Sequence, residues 1–411
     1  MAKDDQWKWL PHFIAASDRL QSVTAEDLLS GRAWEELSER VSRLGQLILG
    51  KGAPEGSAER AAGFRHLLGL LGLAVDQALR WSDPYEPQIT PALMDQVYKW
   101  GMDCPDALYS GTPIRSDATY RIQGYRGSAR YLGFQVMSGI ASTVNLVADD
   151  LKICADGSFE LILGGERRSD NWMELPAGAG SLVVRQFFYD WEREEPAQLE
   201  IERIAGDRAA TVPPEPTPER VARKLAAIGD FLEASVRFWM DLENSGRAQG
   251  LNRFRSPEAR TAMGAAAENV SVWGSFQLGG EEALLIEVEP PPALYWSVSL
   301  GNFWWETLDY ANHQTSLNGH QAVLDPDGVF RAVVAHRDPG VANWLDTTGQ
   351  SCGPMIFRWL RADEAPVPRT RLLSLSELDA ALPASTARVD SRTRSRQLAV
   401  RRAHVRRRFS R

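Results

Sequence analysis

The spacing of apolar positions predicts helices near the N-terminus. Between residues 24 and 49, apolar side chains recur every three or four positions behind Thr24, which can cap the first turn. Residues 57–80 are apolar on nearly all sides, so this second helix is predicted to lie in the interior. A third, short helix is predicted over residues 91–100, because Pro91 suits the first position of a helix.

From residue 118 onward the apolar period changes to two, which predicts β-strands. The strands predicted in a first β-rich stretch are Thr119–Gln123, Ala129–Val136, Leu151–Cys154, Ser158–Leu163, Ser181–Phe188 and Gln198–Ile204. A proline-rich connector (residues 212–218) and a long helix starting at Thr217 separate it from a second stretch. The clearest strands of the second stretch are Ala283–Glu289, Leu294–Leu300, Val329–Ala335 and Met355–Leu360, and a short helix around residues 375–382 follows them.

Two segments, Asp156–Phe188 and Asp327–Trp359, contain the same residue types in the same order. Both begin with Asp-Gly, place Phe two residues after the Gly, reach Asn-Trp, and end on a strand with an Arg beside aromatic residues. The Gly-to-Asn distance is 14 positions in the first and 15 in the second, and the Asn-to-Arg distance repeats 14 and 15. The pattern predicts one β unit present twice, and the alternative is a chance match of two Asp-Gly hairpins.

The sequence therefore predicts an α+β protein dominated by β structure, with two tandem antiparallel jelly-roll-like β-sandwiches, each preceded by helices. The predicted domains are an N-terminal helical segment (1–101), a first sandwich (102–211), the connector with its long helix (212–260), a second sandwich (261–365), and a C-terminal helix with an Arg-rich tail (366–411).

The second unit reads YWSVSLGNFWWETLD, then SLNGHQAVLDPDG, then AHRDPGVANWLDTTGQSCGPMIFRW. These motifs resemble bacterial proteins that carry the domain of unknown function 1214, over roughly residues 270–361. Upstream, PDALY (105–109) and YRIQG (120–124) are similar to the region often found before that domain. The resemblance implies tandem β-sandwiches but no established reaction, so function has to be argued from the site.

The composition is typical of a globular protein, with 44% hydrophobic and 24% charged residues. Three widely spaced cysteines without a CxxC pair argue against a disulfide framework and a thiolate zinc site. The N-terminus has no apolar run of signal-peptide length, and the longest apolar run (residues 67–75) is too short to cross a bilayer. We therefore expect a cytoplasmic protein with no membrane association, and we predict no cofactor and no metal.

The net charge is −8, yet residues 388–411 contain ten Arg and one Asp. Such a tail could bind nucleic acid through its phosphates. Because neither interleaved aromatic residues nor a nucleic-acid motif accompanies the Arg residues, we expect the tail to lie on the acidic body of its own chain or of a partner subunit, or to be solvated. A homo-oligomer is one of these alternatives.

The chain has no phosphate-binding loop, nucleophile elbow or HExxH motif. The candidate chemistry therefore depends on polar groups among tryptophans in the second unit, together with a polar loop before the first. The predicted catalytic residues, which would supply a proton shuttle, carboxylate partners and anion stabilisation, are His336, Asp309, Asp338 and Arg337. The predicted ligand-binding residues are Trp304, Glu306, His313, Asn343, Trp344, Arg358, Asp106, Tyr109 and Arg115.

Several of these candidates also have structural explanations. Asn343 recurs as Asn171 and Arg358 recurs as Arg185, and features present in both copies are typical of shared architecture. The Asp-Pro-Gly stretch at 338–340 is ordinary turn chemistry. Neither His336 nor Asp309 has a counterpart in the first copy, which favours a functional role for these two.

Three functions follow from the sequence. The first is a hydrolase or lyase acting on a glycoside-like or bulky hydroxylated small molecule in an aromatic cleft between the sandwiches. The second is a protein that binds the same kind of molecule, or a carbohydrate, without catalysis. The third is a structural or assembly protein that uses the Arg-rich tail to oligomerise.

Overall fold

The computed structural model describes residues 20, 22–81, 83–139, 141–167, 169–205, 216–259 and 268–409. Its helices are α1 (Ala25–Leu29), α2 (Arg32–Leu49), α3 (Ser57–Leu79), α4 (Pro218–Ala248), α5 (Leu378–Ala381) and α6 (Ser391–Phe409). The first eight strands are β1 (Ala107–Pro113), β2 (Thr119–Tyr125), β3 (Tyr131–Ser138), β4 (Ala141–Val147), β5 (Ser158–Leu163), β6 (Trp172–Met173), β7 (Ser181–Phe187) and β8 (Gln198–Ala205). The remaining strands are β9 (Arg253–Phe254), β10 (Glu258–Ala259), β11 (Asn269–Gln277), β12 (Glu282–Val288), β13 (Ala293–Leu300), β14 (Ser316–Asn318), β15 (Phe330–Ala335), β16 (Trp344–Asp346), β17 (Cys352–Ala362) and β18 (Arg369–Ser374).

The first sandwich consists of two four-stranded sheets, with strand orders β1-β7-β3-β4 and β6-β5-β2-β8. Alternate side chains of each strand face inward, as the period of two predicts, so that Phe134 of β3 and Leu161 of β5 are fully buried in one core. Neighbouring strands are antiparallel except β5 and β6, which are parallel. Burial of both inner faces is the main stabilising contribution to this sandwich.

The second sandwich repeats this arrangement. Its sheets have the orders β10-β11-β17-β13-β14 and β16-β15-β12-β18, which is the order of the first sandwich with one edge strand added. The equivalent short pair, β15 and β16, is again parallel. The predicted α+β fold with two β-sandwiches is confirmed, and the repeated strand order is what a duplicated unit would produce.

The recurring Asn-Trp dipeptide has the same structural role in both sandwiches. Asn171 hydrogen-bonds the N–H and the C=O of Lys152 and donates to a carbonyl of β5. Asn343 makes the same three bonds to Val323 and to a carbonyl of β15. The indoles that follow each donate to a nearby backbone carbonyl, at 3.0 Å in both cases. These side chains fix the loop that precedes the parallel strand pair.

The two sandwiches pack against each other through the outer faces of two sheets, β1-β7-β3-β4 and β11-β17-β13. An apolar cluster of Tyr109, Tyr131, Phe187, Tyr295 and Leu360 joins them. The helices α2, α3 and α4 pack together beside this junction and cover the loop after β13. In the described part of the chain, no helix has the length and apolar character needed to span a bilayer.

The Arg-rich C-terminus forms α6, which lies along its own chain. Arg394, Arg401 and Arg408 recur every seven positions and are 5%, 3% and 1% exposed, so they form one buried stripe of the helix. Arg401 donates to the carbonyl of Ser316 in the second sandwich, and Arg408 donates to the carbonyl of Pro105, at the entrance to the first. The helix is therefore part of the packing between the sandwiches, held largely by backbone carbonyls.

Three predicted elements are wrong. Residues 91–100 form turns instead of a helix, because the segment pairs with β1: the N–H of Leu93 donates to the carbonyl of Tyr109 at 2.6 Å. β1 itself was predicted as a loop, since its glycine and proline resemble turn residues. Residues 151–154 lead into the turn before β5 and form no strand. In each case tertiary pairing overrides the local pattern.

We expect Asn343→Ala to lower the free energy of unfolding by about 1–3 kcal/mol, because three backbone groups lose a buried partner. Asn171→Ala should have a similar effect in the first sandwich. Chemical denaturation measures both, and Asn145→Ala, at an exposed position of β4, is the control. A loss no larger than that of the control would contradict the structural role of these side chains.

Burial, reinforced by Arg408 and Arg407, lowers the pKa of His404 to about 2, against an unperturbed 6.5. Between pH 6.5 and about pH 2, the unfolded chain therefore binds a proton at His404 and the native protein does not. The resulting stability is complete above pH 6.5 and is lost as the pH falls, by about 1.4 kcal/mol per pH unit. Its ring stacks on Trp191 at 4.9 Å, so His404→Phe preserves an aromatic contact there.

Denaturant unfolding at pH 5 and pH 8 tests this. The free energy of unfolding should fall by about 2 kcal/mol more in the wild type than in His404→Phe between these conditions. Equal falls in both proteins would show that His404 is not the source.

Candidate functional site

Two arginines at equivalent positions of the two sandwiches face one another across the junction. Arg185 lies in β7 and Arg358 in β17, both on the outer faces of their sheets. Both line one pocket of about 110 Å³, here called the junction pocket. Its lining residues come from both sandwiches, from α4 and from the segment before β1, and are Met94, Trp100, Gly101, Met102, Asp103, Tyr109, Arg185, Phe187, Trp239, Asn269, Ser271, Ile356 and Arg358.

The two guanidinium groups are held by different partners. Arg358 is 6% exposed and donates to Oγ of Ser299 at 2.9 Å and to the carbonyl of Met102. The Arg185 guanidinium lies 5.2 Å from the centre of the Tyr109 ring. Burial, reinforced by the nearby Arg358, lowers the pKa of Arg185. Two like charges in a poorly solvated place repel each other, which favours the binding of a negative charge between them.

Asp103 supplies the single carboxylate among the lining residues. Its Oδ1 accepts from the hydroxyl of Thr307 at 2.8 Å, and that hydroxyl accepts from the ammonium of Lys99 at 3.0 Å. Burial raises the pKa of Asp103, against the opposing charge of Lys99. Burial also disfavours the charged form of Lys99, which lowers its pKa. A proton can be exchanged along this buried chain of three groups. Asp103 is the member of the chain that lines the pocket.

The backbone beside the pocket has an unusual conformation. Gly101, Met102 and Trp305 all have positive φ values, at 66°, 56° and 60°. A side chain at position 101 would also place its Cβ 2.7 Å from the indole of Trp239, so glycine is required there for two reasons. Positive φ at a methionine and a tryptophan costs free energy, and such residues concentrate at functional sites.

Two lining residues have polar atoms without a partner. Oδ1 of Asn269 and Nε1 of Trp239 make no hydrogen bond to any residue that the structure describes, although these residues are only 8% and 3% exposed. Buried polar groups are normally satisfied, so unpartnered ones at a pocket indicate a place for a ligand or water. Trp239 stacks on Trp305 at 5.0 Å, and that contact forms an apolar wall.

Tyr109 adds a further donor. Burial raises its pKa to about 12, so the phenol stays protonated at neutral pH. Its oxygen accepts from the N–H of Cys104 at 3.0 Å, which leaves its own proton available. The pocket therefore offers cationic and neutral donors together with one carboxyl group. Over the described ranges, no three His, Cys, Asp or Glu side chains lie close enough to hold a metal ion.

Of the residues that the sequence predicted, Tyr109 and Arg358 line the junction pocket. Asp106 is not among the lining residues and is 0% exposed. It accepts from the Tyr295 hydroxyl at 2.7 Å, and from Trp191 and Asn318 as well. A carboxylate with both oxygens bonded this way anchors three segments of the chain and does not face the pocket.

The predicted proton shuttle and its partner do not line the same pocket. His336 lies at the rim of the second sandwich, with Nδ1 2.6 Å from Oγ1 of Thr347 and Nε2 3.2 Å from the carbonyl of Leu278. Since a carbonyl can only accept, Nε2 carries the proton and both ring nitrogens are engaged. Asp309 instead lines a second cavity, here called the basic pocket, together with Arg65, Gln96, Lys99, Ala311, Asn312, Arg402, Val405 and Arg406.

The tryptophans predicted as a stacking floor are enclosed. Trp304 is 1% exposed, donates to the carbonyl of Glu59, and touches the Cα of Gly63, where a Cβ would come within 2.7 Å of its ring. Trp344 is 9% exposed and lies against Arg394. Their faces are covered by protein, so neither ring has an open face to offer a ligand.

The other candidates are engaged elsewhere. Arg337 pairs with Glu281 at the surface, and Asp338 accepts from Arg394 and from the N–H of Gly340. Asn343 has the backbone role described above. Further from the junction pocket, Glu306 lies buried 3.3 Å from His66, His313 bonds Asp346 at 2.8 Å, and Arg115 bonds Asp117 and the hydroxyl of Tyr85.

Sequence reasoning missed Asp103, Arg185 and Asn269 as site residues. Arg185 was visible as the counterpart of Arg358, but its recurrence indicated shared architecture. Asp103 is the first residue of the polar loop that leads to Tyr109, so the pattern that predicted Tyr109 also included Asp103. Asn269 had no signal, because only strand pairing reveals that it shares a face with Arg358.

Comparisons with known proteins identify the family of the chain. Residues 276–364 match the family described as protein of unknown function, DUF1214. The crystal structure of an uncharacterized protein from Burkholderia cenocepacia is 33% identical, covers 87% of this chain and 100% of its own, and superposes with a TM-score of 0.81. A crystal structure from Vibrio parahaemolyticus is 12% identical, with coverage of 75% and 98% and a TM-score of 0.43. No curated protein matches. The chain belongs to the DUF1214 family.

Proposed function

We propose that the protein binds a small anionic molecule in the junction pocket, with a carboxylate or another oxyanion held between Arg185 and Arg358. The observation that supports this most strongly is that both sandwiches direct an equivalent arginine into one pocket. A guanidinium group matches a planar or tetrahedral oxyanion with paired N–H donors. Two such groups on opposite walls would hold the anion from both sides.

The remaining lining residues suit this ligand. Asn269, Ser271 and Trp239 add neutral polar groups, and Trp100 and Phe187 add apolar surface beside them. The cations outnumber the carboxylate by two to one, so an anion would bring the lining to neutrality. Ligand sites commonly combine apolar walls with a few convergent polar groups.

The pocket also narrows the expected ligand. A volume of about 110 Å³ accommodates a group of a few atoms and not a bulky glycoside. The two arginines favour an anionic head group over the neutral hydroxyls of a sugar. We therefore replace the glycoside-like molecule expected from the sequence with a small carboxylate, phosphate or sulfate compound. The Arg-rich segment that suggested assembly is used in packing within the chain.

Titration of the full chain with acetate, inorganic phosphate and sulfate, each alone, tests the binding. We expect saturable binding of at least one anion, and a loss of about tenfold to a hundredfold in affinity for Arg185→Gln and for Arg358→Gln, since each removes charge-assisted hydrogen bonds. Arg121→Gln removes the same charge from an exposed position of β2 and should bind normally. Thermal melting reports whether each variant is folded.

Arg358→Lys keeps the positive charge but not the paired donors. A loss of affinity in this variant, with an unchanged thermal melt, is therefore due to hydrogen-bond geometry and not to a failure to fold. Unchanged affinity in both glutamine variants, or an equal loss in Arg121→Gln, would refute the proposed site.

A second candidate function, a hydrolase or lyase at the same pocket, is favoured by Asp103. Burial raises the pKa of this carboxyl group, which favours its protonated form, and a protonated carboxyl can act as a general acid. Lys99 and Thr307 could return the proton after each turnover. The anion between the arginines would be the fixed end of the substrate.

Asp103→Asn separates catalysis from binding. It preserves shape and removes the transferable proton, so we expect anion affinity within a few fold of wild type and turnover reduced by about a hundredfold or more. The measurement is the consumption of each compound in a set of carboxylate esters and hydroxy acids. The control is Asp117→Asn, in the exposed turn before β2. The enzyme reading fails if the wild type consumes none of these compounds or if Asp103→Asn keeps the full rate.

A further inference from the structure

The basic pocket is separate from the junction pocket and has a different character. It has a volume of about 370 Å³ and lies between the surface of α3, the segment before β1, the loop after β13 and the end of α6. A cavity of this size is within the range of small-molecule sites, which span about 300–1,000 Å³. The anion binding proposed above does not use it.

Its lining is strongly cationic. Arg65, Lys99, Arg402 and Arg406 face one carboxylate, that of Asp309. In the ranges that the structure describes, neither Arg402 nor Arg406 pairs with a carboxylate, and the recorded bond of the exposed Arg65 is to the backbone carbonyl of Gln96. The chain as a whole has an excess of acidic residues, so the cations here are not a consequence of overall composition.

The carboxylate of Asp309 is already engaged. Its Oδ1 accepts from the N–H groups of Ala311 and Asn312, and its Oδ2 accepts from the side-chain amide of Asn312. These bonds shape the loop and occupy both oxygens of the acid. The lining has four cations and one carboxylate, so this carboxylate offsets the charge of only one of them.

Lys99 is the buried cation of the basic pocket, and its position is fixed by its contacts. It is 2% exposed, and its ammonium donates to Thr307 at 3.0 Å and lies 4.4 Å from the centre of the Tyr310 ring. A lysine held by a hydroxyl and an aromatic face has a fixed position. Arg402 and Arg406, one helical turn apart, project from the same side of α6.

Helix chemistry alone does not account for this arrangement. Cations near the end of a helix interact favourably with its dipole, by about 0.3–1 kcal/mol. Arg407 satisfies that preference equally well and pairs with Glu195 outside the pocket. The dipole does not require four cations from three segments to converge on one cavity.

We infer that the basic pocket is a second ligand site, which binds a small polyanion such as a phosphorylated or polycarboxylate metabolite. Arg402, Arg406 and Arg65 would contact its charged groups at the mouth, with Lys99 beneath. The size of the cavity suits a small molecule and not a nucleic-acid strand. The two sites share no lining residue, so this inference does not depend on anion binding in the junction pocket. Lys99 connects them only through Thr307 and Asp103.

Calorimetric titration of the full chain with inorganic pyrophosphate and with citrate tests the inference. We expect saturable binding of at least one probe, weakened at least tenfold in the double variant Arg402→Gln/Arg406→Gln and by added salt. The control is Arg392→Gln/Arg396→Gln, which removes the same charge from exposed positions of the same helix. Arg406→Gln alone, at an exposed position, provides a second variant if the double one does not fold.

Binding by the wild type that is lost only in the pocket variants supports the second site. The absence of saturable binding of both probes, or an equal loss in the control, overturns it. The double variant Arg402→Gln/Arg406→Gln leaves both arginines of the junction pocket in place, and Arg185→Gln and Arg358→Gln leave the basic pocket intact. Comparing the two sets of variants separates the failure of this inference from the failure of the junction pocket.

Discussion

Two guanidinium groups at the contact between two sheets, that of Arg358 buried and that of Arg185 partly buried, place the strongest constraint on this structure. A sheet face that packs on another is usually apolar, and a charge placed there loses its hydration. Arg358 recovers part of that loss through Ser299 and a carbonyl of the segment before β1. Arg185 lies against an aromatic ring. Ser299 of β13, Ser271 of β11 and Met102, whose φ is positive, all lie beside these charges.

The same constraint explains the composition of the C-terminal helix. An arginine has five donors in one plane, so it can satisfy several carbonyl oxygens while its flat faces contact aromatic rings. Arg401 and Arg408 use this geometry to bond backbone carbonyls of both sandwiches, and Arg408 also lies over Trp191. The helix thus extends across the junction that contains the arginine pair. Of its remaining arginines, Arg402 and Arg406 line the basic pocket and Arg407 pairs with Glu195. Arg392 and Arg396 are exposed.

The repeated strand arrangement accounts for the geometry of the site as well as for the fold. The Asn-Trp dipeptide kept the same backbone bonds in both copies, so it is a structural element. The recurring arginines behave differently, because the copies pack with these faces toward each other and both side chains reach one pocket. Their neighbours have diverged: Tyr109 lies beside Arg185, whereas Ser271 occupies the equivalent position beside Arg358. The two sandwiches therefore have the same strand order, but the residues that they contribute to the junction pocket differ.

The sequence by itself determined the two sandwiches, the long helix α4 and most strands, because the period of two, the Asp-Gly turns and the proline connector are local signals. It also identified Tyr109 and Arg358. Only the tertiary structure decided that residues 91–100 pair with β1, that the Arg-rich tail is a packed helix, and that Arg185 meets Arg358. A pattern along one chain reveals which face of a sheet a side chain occupies, but which other surface covers that face depends on contacts between residues far apart in sequence.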